Sequence, residues 1–476
     1  MAAKQNNLHA IIIPLPYQGH INPLVNLALK IASKGIKVTF VHLEFVHLKL
    51  SKAHHNNTSG VDLFSEARSS GLDISYTTIG DGFPLEFDRD LNFSTYWNFL
   101  VRDFPAHVDE FVGNLIKSDP GSAHFLVADP ISSWPAAVAE KYNLVYVGMW
   151  TQAAFVFCLA YHWELLREKG HLTCKDNEDL EIDYIPGVPS INTKDLMKYL
   201  DPENVVSEGM SIGLNDARKA DFILHNTVEE LEPHALSTLN RLYQPSYTVG
   251  PTPFYHNLST FSVPKSFWFE SDCAGWLGSR PAGSVLYVSF GSIVRASDYL
   301  IREVAHGLLH SGVSFIWVVR DDDSINSVLP VGFEDKIKNK ALVVPWCDQI
   351  RVLSSPAVGG FLTHCGWNST LESMWCGVPM ICCPLEFDQP TVTKLVVDDW
   401  GLGIRLSERG RKVDRHEIGE MIKGFMCGSV GKGIREEVGK LKGLFRRALE
   451  VGGSSERNFE RFVDDLKEKV VARAGN

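Results

Sequence analysis

Two groups of residues in this sequence have the types and spacing that chemistry needs. His20 closes Tyr17-Gln18-Gly19-His20, directly after the apolar run LHAIIIPLP. That run predicts a strand, and its carboxyl end is where a doubly wound sheet presents groups to a ligand. Imidazole titrates near neutrality, so His20 is a candidate general base, although a lone histidine is more often structural. Asp129 closes a second such run, Leu126-Val127-Ala128-Asp129. The other group lies between Trp346 and Gln389, WCDQIRVLSSPAVGGFLTHCGWNSTLESMWCGVPMICCPLEFDQ. Here VGGFLTH reads as a strand turning into a helix over 368–376. Its first residues, Asn368 and Ser369, bring backbone N–H groups and the positive helix end together as an anion site fit for a diphosphate. His364 at the strand end adds a hydrogen-bond donor. The competing reading of Ser369 and Glu372 is a capping box, because S-x-x-E opens many helices.

The elements that must position these residues follow an α/β rhythm. After the first strand come an amphipathic helix over 22–34 and a strand over 36–43, a βαβ unit. Strands then recur at 124–129, 144–150 and 222–226, with helices near 132–142 and 152–169. Residues 245–270 are rich in Pro, Ser and Thr and read as a linker. The alternation starts afresh with strands at 284–292, 314–320, 342–346, 358–364 and 378–384 and a helix over 298–311. Two doubly wound domains are expected, 1–250 and 251–476, facing across a ligand cleft, with the last helix packing back on the first domain.

Composition narrows the function. The chain has 476 residues, 45% hydrophobic and 22% charged, which excludes intrinsic disorder. Lys and Arg number 46 against 57 Asp and Glu, a net charge of −11 without a basic run, so no nucleic-acid partner is expected. Nine cysteines, an odd number, suit reduced thiols in a cytoplasmic compartment. No membrane span is expected, and LHAIIIPLP, with two prolines and no basic flank, reads as a strand and not as a signal peptide. Gly209–Gly213 fits a G-x-S-x-G elbow but follows no buried strand. Gly428–Gly433 is too short for a phosphate loop, and no G-x-G-x-x-G follows a strand. The run Asp321–Asp323 reads as a solvated turn before it reads as a cation site.

The 44 residues from Trp346 to Gln389 closely resemble the donor-binding signature box of plant family-1 UDP-sugar glycosyltransferases, without a gap. The resemblance extends through PYQGHINP, VADP, WTQAA, SVLYVSFGS and the C-terminal GGSSERNFERFVDDL. It implies the two-domain GT-B fold. It also implies that Trp346 stacks on the uracil, with Gln349 near the base or ribose, and that Glu372 accepts from the ribose hydroxyls. His364, Asn368, Ser369 and Ser292 would hold the diphosphate. Asp388 and Gln389 would bind the sugar hydroxyls, assisted by the Trp367 backbone and the Thr151 hydroxyl. His20 would be the catalytic base and Asp129 its acidic partner, fixing the imidazole tautomer and raising the basicity of the other nitrogen.

The same resemblance implies an inverting, metal-independent transferase that moves glucose from UDP-glucose to an oxygen of a small lipophilic acceptor. The donor is a substrate, and no resident cofactor or metal is expected. Partners are the UDP-sugar and the acceptor, and the protein is expected to be a monomer. Aromatics crowded into 83–104 are either core or the lining of a pocket for a phenolic, flavonoid or terpenoid acceptor. Alternatives are transfer to carbon on a phenolic ring, a metal-dependent transferase using Asp321–Asp323, and a non-catalytic nucleotide-sugar-binding protein. Asp388 is acceptor-only while Gln389 offers one acceptor and two donors, and Pro384–Gln389 holds no cation, so a neutral hexose is expected over a uronic acid. In the family a closing Gln accompanies glucose and a closing His galactose, so Gln389→His is expected to erode the glucose preference. The chain departs from the family pattern at Asp348, where Pro is usual, and at Glu386-Phe387.

Overall fold

The computed structural model describes residues 7–54, 62–172, 179–255, 258, 261, 263–320, 328–407, 411–412 and 414–474. Asp321–Asp323 and Cys174 lie outside the described residues. The chain forms two compact units, one of Met1–Ser190, Lys198–Phe267 and Arg447–Asn476, the other of Ile191–Met197 and Trp268–Arg446.

The first unit is built on seven strands: β1 (Leu8–Ile13), β2 (Lys37–Leu43), β3 (Ile74–Ile79), β4 (Ala123–Ala128), β5 (Val145–Trp150), β6 (Phe222–His225) and β7 (Ser246–Thr248). They pair in the order β3-β2-β1-β4-β5-β6-β7, all parallel. Ile11 of β1 lies opposite Thr39 of β2 and Leu126 of β4. Every residue of β1 is buried, as a central parallel strand covered on both faces requires, and this explains its unbroken apolar run.

Local structure departs from the sequence reading in several places. The first helix, α1 (Gln18–Ser33), begins four residues before the expected 22. The helix expected over 152–169 is two, α2 (Ala154–Tyr161) and α3 (Trp163–Glu168), broken at His162, whose Nδ1 bonds the Cys158 carbonyl at 2.8 Å. Strand β7 lies inside the stretch expected to be a linker, held at the sheet edge by pairing with β6. The Gly209–Gly213 run lies within the helix Ser207–Ala217, where a Cβ on Gly213 would stand 1.9 Å from the Ile131 carbonyl oxygen, so close packing accounts for that glycine.

The second unit has six strands: β8 (Val285–Ser289), β9 (Ser314–Val318), β10 (Ala341–Val344), β11 (Val358–Thr363), β12 (Met380–Cys382) and β13 (Gly403–Arg405). Their order is β10-β9-β8-β11-β12-β13, again parallel throughout. Alternate residues of β8 enter different cores: Leu286 and Val288 pack with Trp317 and Leu362, Val285 and Tyr287 with Ile316 and Phe361. Between β8 and β9 runs α4 (Asp298–Ser311), opened by the Ser297 side chain accepting from the Leu300 N–H and ended by Gly312 at φ 66°.

The helix α8 (Ser454–Ala474) belongs to the first unit. Its Phe462 packs on Phe222 and Tyr247 at 5.7 Å between ring centroids, and Asn458 donates to Thr248 at 2.7 Å. Glu456 pairs with Lys30 on α1. Among the described residues no helix is long and apolar enough to cross a membrane, and eight cysteines carry free thiols.

Candidate active site

In each sheet the sequence order of the strands reverses once, between β1 and β4 in the first and between β8 and β11 in the second. Such a reversal splays the following connections apart and opens a crevice at the carboxyl ends of the two strands. His20 and Asp129 follow the two strands at the first of these places, and Ser292 and His364 follow the two strands at the second.

In the first unit His20 stands in the first turn of α1, not at the end of β1, because the helix starts at Gln18. The start is fixed by tertiary contact: Gln18 is buried and its Nε2 donates to the Lys265 carbonyl at 2.8 Å. Asp129 follows β4, is fully buried, and accepts through Oδ1 from the Ile131 N–H at 3.1 Å. Its Oδ2 is hydrogen-bonded to His20 Nδ1. A carboxylate on Nδ1 places the ring proton there and leaves basicity to Nε2. The Thr151 hydroxyl lies 3.0 Å from the same Nδ1. Thr151 was expected among the sugar contacts, and the structure sets it on the imidazole of His20. Its loop is anchored by buried Glu232, whose carboxylate accepts from the Ala154 and Phe155 N–H groups at 3.1 and 2.8 Å.

In the second unit β11 leads through His364, Cys365 and Gly366 into α6 (Trp367–Cys376). Cys365 is left-handed at φ 63°, a conformation that clusters at ligand-binding turns. The N-cap is Gly366, with no capping side chain and no acid in the first turn. The helix therefore starts at Trp367, and Glu372 lies well inside it, so the capping-box reading of Ser369 and Glu372 fails. Both instead hold Gln349: its Nε2 donates to Ser369 Oγ at 3.0 Å and to Glu372 Oε2 at 2.7 Å, and Tyr287 donates to its Oε1 at 3.3 Å. Gln349 opens α5 (Gln349–Leu353), and Asp348 is its N-cap, accepting from the Arg351 N–H at 3.0 Å. The departure from Pro at 348 thus places a capping side chain at the start of this helix.

His364 is wedged between two glycines: a Cβ on Gly291 or on Gly366 would lie 2.5 Å from its Nε2. Gly291 is also left-handed, at φ 78°. Burial pushes the His364 pKa down to about 4, opposed by a hydrogen bond to the Ser289 carbonyl. The ring is therefore neutral, with one N–H and one acceptor nitrogen, and Nδ1 is buried without a partner. A neutral imidazole keeps one N–H, so His364 can act as the hydrogen-bond donor expected of it without taking up a proton. Ser292 follows Gly291 on the same loop.

Trp346, after β10, stacks on Trp268 at 4.5 Å between centroids and 28° between planes. The Trp367 side chain is buried near Trp400, at 6.3 Å, while Asn368 is half-buried. Asp388 is the N-cap residue of α7 (Gln389–Lys394), and both Asp388 and Gln389 are buried. The Gln389 Oε1 is already committed, accepting from the Leu385 and Glu386 N–H groups at 2.8 and 2.9 Å. Phe387 within this turn is left-handed at φ 57°. Of the aromatics in 83–104, Tyr96, Trp97 and Phe104 are buried core, whereas Phe83, Phe87, Phe93 and Phe99 are half-buried. Phe93 lies 6.4 Å from the Tyr17 ring in the loop before His20. No cluster of three or more His, Cys, Asp or Glu suited to a metal occurs among the described residues.

The model of the family "Glycosyltransferase, N-terminal domain" matches residues 6–251, and that of "UDP-glucoronosyl and UDP-glucosyl transferase" matches residues 270–410. UDP-glycosyltransferase 86A1 of Arabidopsis thaliana is 45% identical, covering 100% of this chain and 97% of that protein. The 7-deoxyloganetin glucosyltransferase of Gardenia jasminoides is 33% identical over 97% of this chain and 98% of its own. Among solved structures, UGT2 of Phytolacca americana complexed with UDP-2fluoro-glucose and pterostilbene matches with a TM-score of 0.76 and 27% identity, covering 96% of this chain and 99% of that one.

Proposed function

Because this chain belongs to the plant family-1 UDP-glycosyltransferases and has their GT-B fold, we propose that it moves glucose from UDP-glucose to an oxygen of a small lipophilic acceptor, inverting the anomeric carbon without a metal. His20 Nε2 takes the acceptor proton as the oxygen attacks from the face opposite UDP. Asp129 stabilises the imidazolium that forms, and Thr151 shares the orientation of the ring. The observation that carries this reading is the His20–Asp129 pair at the switch point of the first sheet, with Asp129 itself fixed by the Ile131 N–H.

The donor is held in the second unit. The uracil stacks on Trp346, which Trp268 supports, and the ribose hydroxyls donate to Glu372, which Gln349 orients. The diphosphate meets the start of α6, Ser292 and the N–H of neutral His364, which answer the charge that grows on departing UDP. The sugar hydroxyls meet Asp388 and the Gln389 amide N–H groups, with the Trp367 backbone assisting. Since these donors already answer the charge, no metal and no resident cofactor is required. Glucose is favoured by the glucosyltransferase relative and by the UDP-2fluoro-glucose bound to the Phytolacca enzyme. Phe83, Phe87, Phe93 and Phe99 supply the half-buried aromatic surface for a phenolic, flavonoid or terpenoid acceptor. The unpaired thiols fit a cytoplasmic enzyme, which we take to act as a monomer.

A mass-spectrometric screen of phenolic and terpenoid libraries with UDP-glucose, in excess EDTA, tests this directly. The expected product is an O-linked glucoside formed at full rate in the chelator. An acid-stable carbon-linked product would overturn the O-transfer, loss of activity in EDTA the metal independence, and UDP-glucose binding without transfer the catalytic reading.

A further inference from the structure

Arg320 stands two residues beyond β9 and matches no motif in the sequence. Its guanidinium donates to three successive carbonyls of the loop after β8: Nη1 to Ser292 at 2.7 Å and to Ile293 at 3.4 Å, Nη2 to Val294 at 2.6 Å. The two strands are neighbours in register, with Ser289 opposite Val318, so their ends emerge side by side. The loop has no regular structure of its own between β8 and α4, and Ile293 is exposed. Carbonyls gathered on one cation hold a loop of this kind in one shape. A planar fork with five donors does so where a lysine, a point charge, does not.

The pinned loop is the one that the proposed donor site depends on. It carries Ser292, and its Gly291 is packed against the His364 ring. Arg320, Gly291, Phe290 and Val294 line a common cavity of about 90 Å³. The positive charge of Arg320 is felt at His364, whose proton affinity it lowers after the larger effect of burial. An always-charged group fixed this close is already oriented when negative charge appears on a leaving diphosphate, so it needs no reorganisation during transfer.

We propose that Arg320 is a positioning residue for the diphosphate of the UDP-sugar: it fixes residues 292–294 so that Ser292 meets the phosphates, and its charge belongs to the field that stabilises departing UDP. The proposal rests on the donor site described under the proposed function.

The test compares UDP with uridine, which lacks phosphates, by titration calorimetry on the full chain. Arg320→Gln keeps an amide donor without charge, and Arg320→Lys keeps charge without the fork. UDP affinity should fall about tenfold or more in Arg320→Gln and by less in Arg320→Lys, with uridine affinity unchanged in both. Turnover of UDP-glucose should fall with UDP affinity. Equal losses for UDP and uridine, or no loss for UDP, would overturn the proposal, the first showing a merely structural strut. If Arg320→Gln does not fold, Arg320→Lys decides by the same comparison. Trp346→Ala serves as control for the site itself: if it leaves both ligands unaffected, the donor site is misplaced, which is a different failure from that of Arg320.

Discussion

Gln389→His is the substitution on which structure and sequence pattern give different forecasts. The Gln389 side-chain carbonyl accepts two backbone N–H groups, of Leu385 and Glu386, at 2.8 and 2.9 Å. The turn it closes contains Phe387 in the left-handed region, a conformation that costs about 1–2 kcal/mol for a residue with a Cβ. Each neutral hydrogen bond contributes about 0.5–1.5 kcal/mol net, so the two together offset that strain. A neutral imidazole has one acceptor nitrogen and satisfies at most one of the two N–H groups. The turn that carries Asp388 should loosen, with a loss of about 1–3 kcal/mol, equivalent to roughly ten- to a hundredfold in kcat/KM. The loss should fall on UDP-glucose and UDP-galactose alike, and UDP, which has no sugar, should bind as before. The assay is kcat/KM for both donors beside calorimetric UDP affinity. A rise in UDP-galactose activity above wild type while UDP-glucose activity falls would refute the argument and show that this side chain chooses between the two sugars instead of mainly holding the turn.

Trp346→Ala and Glu372→Ala should each weaken UDP binding by about 1–3 kcal/mol, measured by calorimetry. Because Gln349 holds Glu372, Gln349→Leu combined with Glu372→Ala should be less than additive, and full additivity would separate the two roles. UDP-glucose should be preferred over UDP-glucuronic acid by at least about tenfold in kcat/KM, since the uronate carboxylate would face Asp388, and a glucuronosyl preference would contradict the assignment of Asp388. Acid should destabilise the fold: burial pushes His9 and His364 down to about 4 and His42 and His225 to about 3. Unfolded, these rings protonate near pH 6.5, so stability present above that pH is lost as pH falls toward 4, by up to about 1.4 kcal/mol per ring per pH unit. Thermal unfolding at pH 7.5, 6 and 5 should show a falling Tm, and a flat profile would contradict it.

The long apolar strands were legible because central parallel strands are buried on both faces and need no alternation. Shorter ones were not: β3 reads Ile-Ser-Tyr-Thr-Thr-Ile, and β7 and β13 have only three residues each, too few for a periodic signal. The choice between ligand contact and helix cap at Glu372 turns on whether the N-cap is Gly366 or Ser369, a difference of three residues that lies within the ordinary blur of a predicted boundary. His20 lies on the connection after β1, as its place in the sequence implies, but inside α1, since Gln18 is drawn into the helix by a contact with Lys265, 247 residues away. Trp268 and Arg320 had no signal at all. One lies in a stretch that reads as linker, the other at the end of a strand, and only the packing of Trp346 and of the 292–294 loop gives them a purpose.

The most direct test of the central claim is single-turnover glucosyl transfer by His20→Ala to a weakly acidic alcohol acceptor, with UDP affinity measured on the same preparation. If His20 is the base and Asp129 its orienting partner, kcat should fall by about 10²–10⁴ while UDP binds as in the wild type. An acceptor acidic enough to ionise unaided should lose less. Turnover of the weakly acidic alcohol at near the wild-type rate would contradict the account and remove His20 from the chemistry.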